Sequence, residues 1–167
     1  MKTRLPILLL CLLVGTVTVL GRSSVNHAVA GTAASVTTLV SVNTNGLPAN
    51  GGSYTPAITA DSRYVVFDSM ATDLTNDAID DVGNIFIRDM QTGQTSLVSR
   101  ALDMSAAGNA DSPSVSADGR YVAYESSNAG IVANDDNGTA DVFIVDRATG
   151  LTTLVSRHSN GTIGDDY

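Results

Sequence analysis

The residues best suited to chemistry stand together in Asn134-Asp-Asp-Asn-Gly-Thr-Ala-Asp141. Asp135, Asn137 and Asp141 carry hard oxygen donors at spacing i, i+2, i+6, and Gly138 permits a sharp turn between them. Calcium takes six to eight such oxygens, and donors two apart in a turn can point inward together. The pattern is not an EF-hand, because Gly138 is fourth from Asp135 rather than sixth. Thr139 also stands where a third Asp or Asn belongs. A matching segment upstream offers Asp77, Asp80, Asp81 and Asn84, with Ala78 in the place of Asp135. The competing reading is a solvated turn, in which Asp and Asn accept hydrogen bonds from their own backbone. No other cofactor is expected.

Catalytic groups are scarce. His158 is the only histidine beyond residue 30, and no Gly-x-Ser-x-Gly elbow accompanies the many serines. The single cysteine, Cys11, lies in an N-terminal apolar run, so disulfides and thiolate metal sites are excluded from the rest of the chain. Asp61 and Asp118 fall in tight-turn sequences and are read as structural. Asp89 and Asp146 stand just before turns, with the same reading. Arg88 and Arg147 are expected to pair with neighbouring Asp on the surface. The chain is therefore read as a non-enzyme.

What positions these residues is a repeat. Tyr54-Thr-Pro-Ala-Ile-Thr-Ala-Asp-Ser-Arg-Tyr-Val-Val-Phe-Asp-Ser69 aligns with Asp111-Ser-Pro-Ser-Val-Ser-Ala-Asp-Gly-Arg-Tyr-Val-Ala-Tyr-Glu-Ser126, each pair 57 apart. Phe86, Asp89 and Gly93 match Phe143, Asp146 and Gly150 at that spacing, and Leu97-Val-Ser99 matches Leu154-Val-Ser156. A further copy of that tail stands at Leu39-Val-Ser41. A fixed period of this length is the mark of a repeat architecture.

Each repeat reads as four short strands: 55–59, 63–69, 84–89 and 94–99, then 113–116, 120–126, 141–146 and 151–156. Asp118-Gly119 is a hairpin signal between the first two strands, and Asp61-Ser62 its weaker counterpart. Thr92-Gly93 and Thr149-Gly150 join the third strand to the fourth. Segments 70–83 and 127–140 form long links between strands two and three. Tyr121-Val-Ala-Tyr124 and Val142-Phe-Ile-Val145 are unbroken apolar runs, which predicts cover on both faces of the sheet. A propeller supplies that cover, since each blade packs between two others. The fold class is accordingly all-β: four-stranded antiparallel blades of an incomplete β-propeller, with about two blades present.

The boundaries follow. Residues 1–30 read as a signal peptide: Lys2 and Arg4, an apolar run from Leu5 to Leu20, then Ala28-Val-Ala30 as a cleavage site. The run is shorter than the roughly 20 residues of a spanning helix. Residues 31–167 form the partial propeller, with an outer strand at 37–42, blades at 53–99 and 110–156, and a linker beginning at 157–167. Two blades leave apolar faces open, where propellers use about four to eight. The expectation is an N-terminal piece of a longer protein, with self-association of copies through those faces as the alternative.

Charge narrows the partners. The chain carries 17 acidic and 9 basic residues, and only six arginines follow residue 30. Nucleic acid and anionic membranes need a basic surface, so neither is expected as a partner. Sixteen of the 17 acids are Asp, which favours turns over helices.

The stretch Pro113-Ser-Val-Ser-Ala-Asp-Gly-Arg-Tyr-Val-Ala-Tyr124, followed by Asp141-Val-Phe-Ile-Val-Asp-Arg-Ala-Thr-Gly150, resembles the WD40-like (PD40) repeat of TolB-like β-propeller proteins, in the form found in exported bacterial proteins. The loop at Asp135–Asp141 is also similar to those of calcium-binding propellers of the integrin type. The first resemblance implies an exported module, periplasmic, at the cell surface or secreted, that contacts a protein partner in the envelope or outside the cell. The second implies a calcium-dependent surface or adhesion module. A third reading is the scaffold part of a larger hydrolase.

Overall fold

A computed structural model describes residues 36–157, 160 and 161. The segment 1–30 read as a signal peptide, His158 and most of the segment 157–167 read as a linker lie outside these residues. All but Val36 belong to one compact unit, Thr37–Tyr167.

Eight strands form two four-stranded antiparallel sheets, each a meander in chain order. The first blade contains β1 (Ser53–Ile58), β2 (Tyr64–Ser69), β3 (Asn84–Asp89) and β4 (Gln94–Leu97). The second contains β5 (Ala110–Val115), β6 (Tyr121–Ser126), β7 (Asp141–Asp146) and β8 (Leu151–Leu154). The third strand of each blade has the bounds read from the sequence. The fold is that of propeller blades.

Departures at the other strands have local causes. β1 and β5 begin earlier than expected and contain a bulge, with Thr55 and Ser112 at φ 44 and 53. Pro56 and Pro113 fit there because a proline cannot donate to a ladder and suits an edge strand or bulge. β4 and β8 end two residues early, at Leu97 and Leu154, because a serine hydroxyl replaces the next backbone partner. The Ile85 amide donates to Ser99 Oγ, and the Val142 amide to Ser156 Oγ, each at 3.0 Å.

The outer strand expected at 37–42 does not form. Val42 makes only an isolated bridge to Pro48, around a turn in which Asn43 Oδ1 accepts from the Asn45 and Leu47 amides. Arg100 and Ala106 make the same bridge 58 residues later, so segment 42–48 has the role of a linker entering a blade.

Two apolar layers hold the unit. The larger lies between the blades, where Val66, Ile85 and Ile87 of the first meet Val122, Tyr124, Phe143 and Leu154 of the second. Burying each such side chain contributes about 1.5–3 kcal/mol. The smaller layer, on the far side of the first blade, gathers Val65, Phe67, Phe86 and Leu97 with Ala71 and Leu74. Cover on both faces is thus found in the first blade only. In the second, Tyr121 and Val142 are 37% and 38% exposed, and burial alternates along β6 and β7. The apolar run predicted two covered faces; in the described residues only one neighbour is present.

Candidate functional sites

Two sites deserve comparison: the acidic link before β7 and a groove between the blades.

In the acidic link, Asp135 and Asp141 are buried, at 7% and 2% exposure. Asp141 begins β7 and does structural work. It accepts from Ser156 Oγ through Oδ1 and from Asn137 Nδ2, at 2.9 Å, through Oδ2. Asn84, its counterpart in the first blade, accepts from Ser99 Oγ and the Gly108 amide, both at 3.0 Å. Asn137 turns its amide nitrogen, not its oxygen, toward Asp141, and its Oδ1 accepts from the Thr139 amide. Asp135 accepts no such bond from a named partner. Burial, and then the charges of Asp141 and Asp136, push its pKa above the ordinary carboxylate value.

The sequence therefore brings Asp135, Asn137 and Asp141 into one link, but with Asn137 bonded as in a turn. Among the described residues no group of three or more His, Cys, Asp or Glu is placed to hold a metal ion. The upstream counterparts diverge: Asp77 pairs with Arg100 at 3.0 Å, while Asn84 is a fully buried latch.

The groove has a volume of about 580 Å³, within the usual range for ligand sites. Leu97, Val98, Ile131 and Val132 line it. Leu102, Met104 and Leu151 stand at its rim, each 64–66% exposed. Arg100 props one rim, bonding Asp77 and, at 2.9 Å, the Met104 carbonyl. Arg147 lies on the other, donating to the Gly119 carbonyl. A sequence search for chemical groups passes over such a place, because its signal is apolar residues in a loop.

The turn acids behave as expected. Asp61 accepts from Thr59 Oγ1 at 2.6 Å and from the Arg63 amide at 3.0 Å; Asp118 repeats this with Ser116 and Arg120. Those bonds lower both pKa values, the hydroxyl bond most. The arginine assignment needs correction. Arg88 donates to Thr95, and Arg147 to a carbonyl, rather than to aspartates. Besides Arg100–Asp77, the ion pairs among the described residues are Arg63–Asp89 and Arg120–Asp146, both 2.8 Å. They cross from the start of the second strand to the end of the third, a neighbour relation 26 residues apart that local sequence does not display. Hydrogen bonding from the arginine brings Asp89 and Asp146 down to a pKa of about 2.

No protein-family model and no curated protein sequence matches the chain. Solved structures do. The chain is similar to TolB from Acinetobacter baumannii, at 18% identity and a TM-score of 0.45, over 71% of this chain and 24% of that one. It is similar to the β-propeller domain of the Trilobed protease from Pyrococcus furiosus, at 15% identity and 0.43, over 64% and 28%. A third is the Pyrococcus horikoshii acylaminoacyl peptidase, at 17% and 0.40, over 63% and 13%. The chain thus spans less than a third of each of these structures. The fold assignment rests on the two meanders themselves.

Proposed function

We propose that the chain is an exported, non-catalytic propeller-type module that binds a protein partner through the groove between its blades. The observation carrying this reading is the cluster of Leu102, Met104 and Leu151, exposed around a concave apolar floor. Contiguous exposed apolar residues on a rigid scaffold mark interaction surfaces. The turn acids support a non-catalytic role, since the neighbours of Asp61, Asp89, Asp118 and Asp146 lower their pKa values and favour the ionised form. Low pKa values suit neither a general acid nor a base near neutrality.

A photo-crosslinking residue at position 102 tests the groove in cells. The reading expects a discrete adduct with another protein in the exported fraction, lost with Leu151→Asp. An adduct indifferent to Leu151→Asp, or none, refutes it. Cell fractionation of the full chain tests export.

The second reading is calcium dependence through Asp135 and Asp141, favoured by the burial of both carboxylates in one link. Two carboxylates fall short of six to eight oxygens, so backbone carbonyls, water and a turned Asn137 would complete the shell. Isothermal titration with calcium tests it, and absence of heat at millimolar ion removes it.

A further inference from the structure

The groove between the blades has a counterpart 57 residues earlier. On the first blade, linker 42–46, link 74–77 and the β3–β4 hairpin line an opening of about 640 Å³, within the range of ligand sites. It shares only Ser96, Leu97 and Arg100 with the groove between the blades.

The repeat changes the chemistry of the lining. Val145, Val132, Ala133 and Leu151 of the groove between the blades are replaced here by Arg88, Thr75, Asn76 and Gln94. Leu74 keeps the apolar character of Ile131. One blade scaffold thus carries an apolar lining in one repeat and a polar one in the other, so strand geometry does not impose the polar set.

Arg88 is the centre of that set. It stands on β3 between Val65 of β2 and Thr95 of β4, half-buried. Its Nη1 donates to Thr95 Oγ1 at 2.9 Å. Among the described residues, its Nε and Nη2 have no protein acceptor and no carboxylate pairs with it. Arg63, Arg100 and Arg120, by contrast, each pair with an aspartate. Nε and Nη2 form the flat edge of a guanidinium that takes both oxygens of a carboxylate. The side chains of Thr44, Asn76 and Gln94 line the same opening, with no hydrogen-bond partner among the described residues. Their hydroxyl and carboxamides both donate and accept, as sugar hydroxyls require. Leu74 and Leu97 give the floor an apolar patch for the C–H face of a ring.

We propose that this opening binds a saccharide of the uronic acid class. Arg88 clamps its carboxylate, and Thr44, Asn76 and Gln94 hold its ring hydroxyls. The net charge of −8 repels anions at long range, so recognition rests on the bidentate contact itself. The site does not depend on the protein partner proposed for the groove between the blades.

Titration of the full chain followed by NMR tests the proposal, with methyl glucuronide as the probe. Methyl glucoside carries a CH2OH in place of the carboxylate, and acetate lacks the ring. The glucuronide should bind at least about tenfold more tightly than either. Arg88→Val and Gln94→Leu borrow the residues of the second repeat, whose blade accommodates them. The first should weaken binding at least about tenfold and the second about threefold. Arg157→Gln removes the same charge at an exposed position outside the opening and should bind as the parent does. No spectral change at tens of millimolar glucuronide, equal binding of glucoside or of acetate, or binding untouched by Arg88→Val or by Gln94→Leu would each overturn it. So would a loss in Arg157→Gln as large as that in Arg88→Val.

Discussion

Arg147 lays its guanidinium carbon 4.4 Å from the ring centroid of Tyr64, so a turn of the second blade clasps a side chain of the first. The same arginine donates to the carbonyl of Gly119, which itself lies against the Tyr64 ring. Arg63 adds a second cation to this ring, 4.8 Å away. Contacts of this kind contribute about 0.5–1 kcal/mol where exposed. Tyr121, the counterpart ring on the second blade, has only its own Arg120 at 4.9 Å.

Gly119→Ala should destabilise the chain by about 2–5 kcal/mol. The left-handed backbone, φ +72, costs an alanine about 1–2 kcal/mol, and crowding against Tyr64 adds about 1–3. Gly150→Ala is the control: its φ is +75, but nothing lies within 4 Å, so only the backbone cost applies. Urea unfolding of both variants measures the difference. Equal losses would remove the claim that contact between the blades selects glycine at position 119.

Tyr124→Phe should be neutral or stabilising. The Tyr124 hydroxyl is buried without a hydrogen-bond partner, and burial pushes its pKa up. Deleting an unsatisfied polar atom recovers up to about 1–3 kcal/mol. The first blade already carries Phe67 at this position, stacked on Phe86 with centroids 6.0 Å apart, as Tyr124 is on Phe143 at 5.8 Å. A fall in thermal midpoint would show that the hydroxyl has a partner after all.

Acid should weaken the fold in a defined window. Asp89 and Asp146 titrate near 2 when folded and near 3.8 without their partners. Their contribution is present above the unfolded value and is lost as pH falls through the folded one. Denaturation midpoints should therefore drop between about pH 4 and pH 2. Arg63→Ala with Arg120→Ala should flatten that drop, since the arginine bonds are the leading cause of both shifts. An unchanged profile would locate the acid sensitivity elsewhere.

Asp135 has the opposite sign. Its folded pKa is raised by burial, so its ionised form opposes folding above that value. Asp135→Asn should raise the thermal midpoint at neutral pH in the presence of a chelator. Under the calcium reading, ion at a hundredfold excess over its dissociation constant stabilises the parent by about 2.7 kcal/mol and the variant by less. A midpoint insensitive to calcium in both proteins would leave only the turn.

Strands two and three were legible because their apolar runs and flanking turns repeat at a fixed distance. The candidate acids were legible as a group, but not their duties. Asp141 holds the end of β8 through Ser156, a link across 15 residues that no local motif announces. Ser69 and Ser126 aligned in the repeat for the same hidden reason: each hydroxyl donates to a glycine carbonyl, Gly52 or Gly108, at the entrance to its blade. The exposure of Val142 was also illegible, since a run of apolar residues records what a strand can bury, not which neighbours are present.

The buried Asn84 holds three things at once: the hydroxyl that ends its own blade, the amide of Gly108 that leads into the next, and, through Nδ2, the Val82 carbonyl. One residue before it, Gly83 leaves no room beyond the Ala110 carbonyl and bonds the Ala110 amide at 2.9 Å. The two residues together tie the end of the first blade to the entry of the second, beside the apolar layer between them. A single carboxamide at position 84 thus works as a staple at the seam between two repeats.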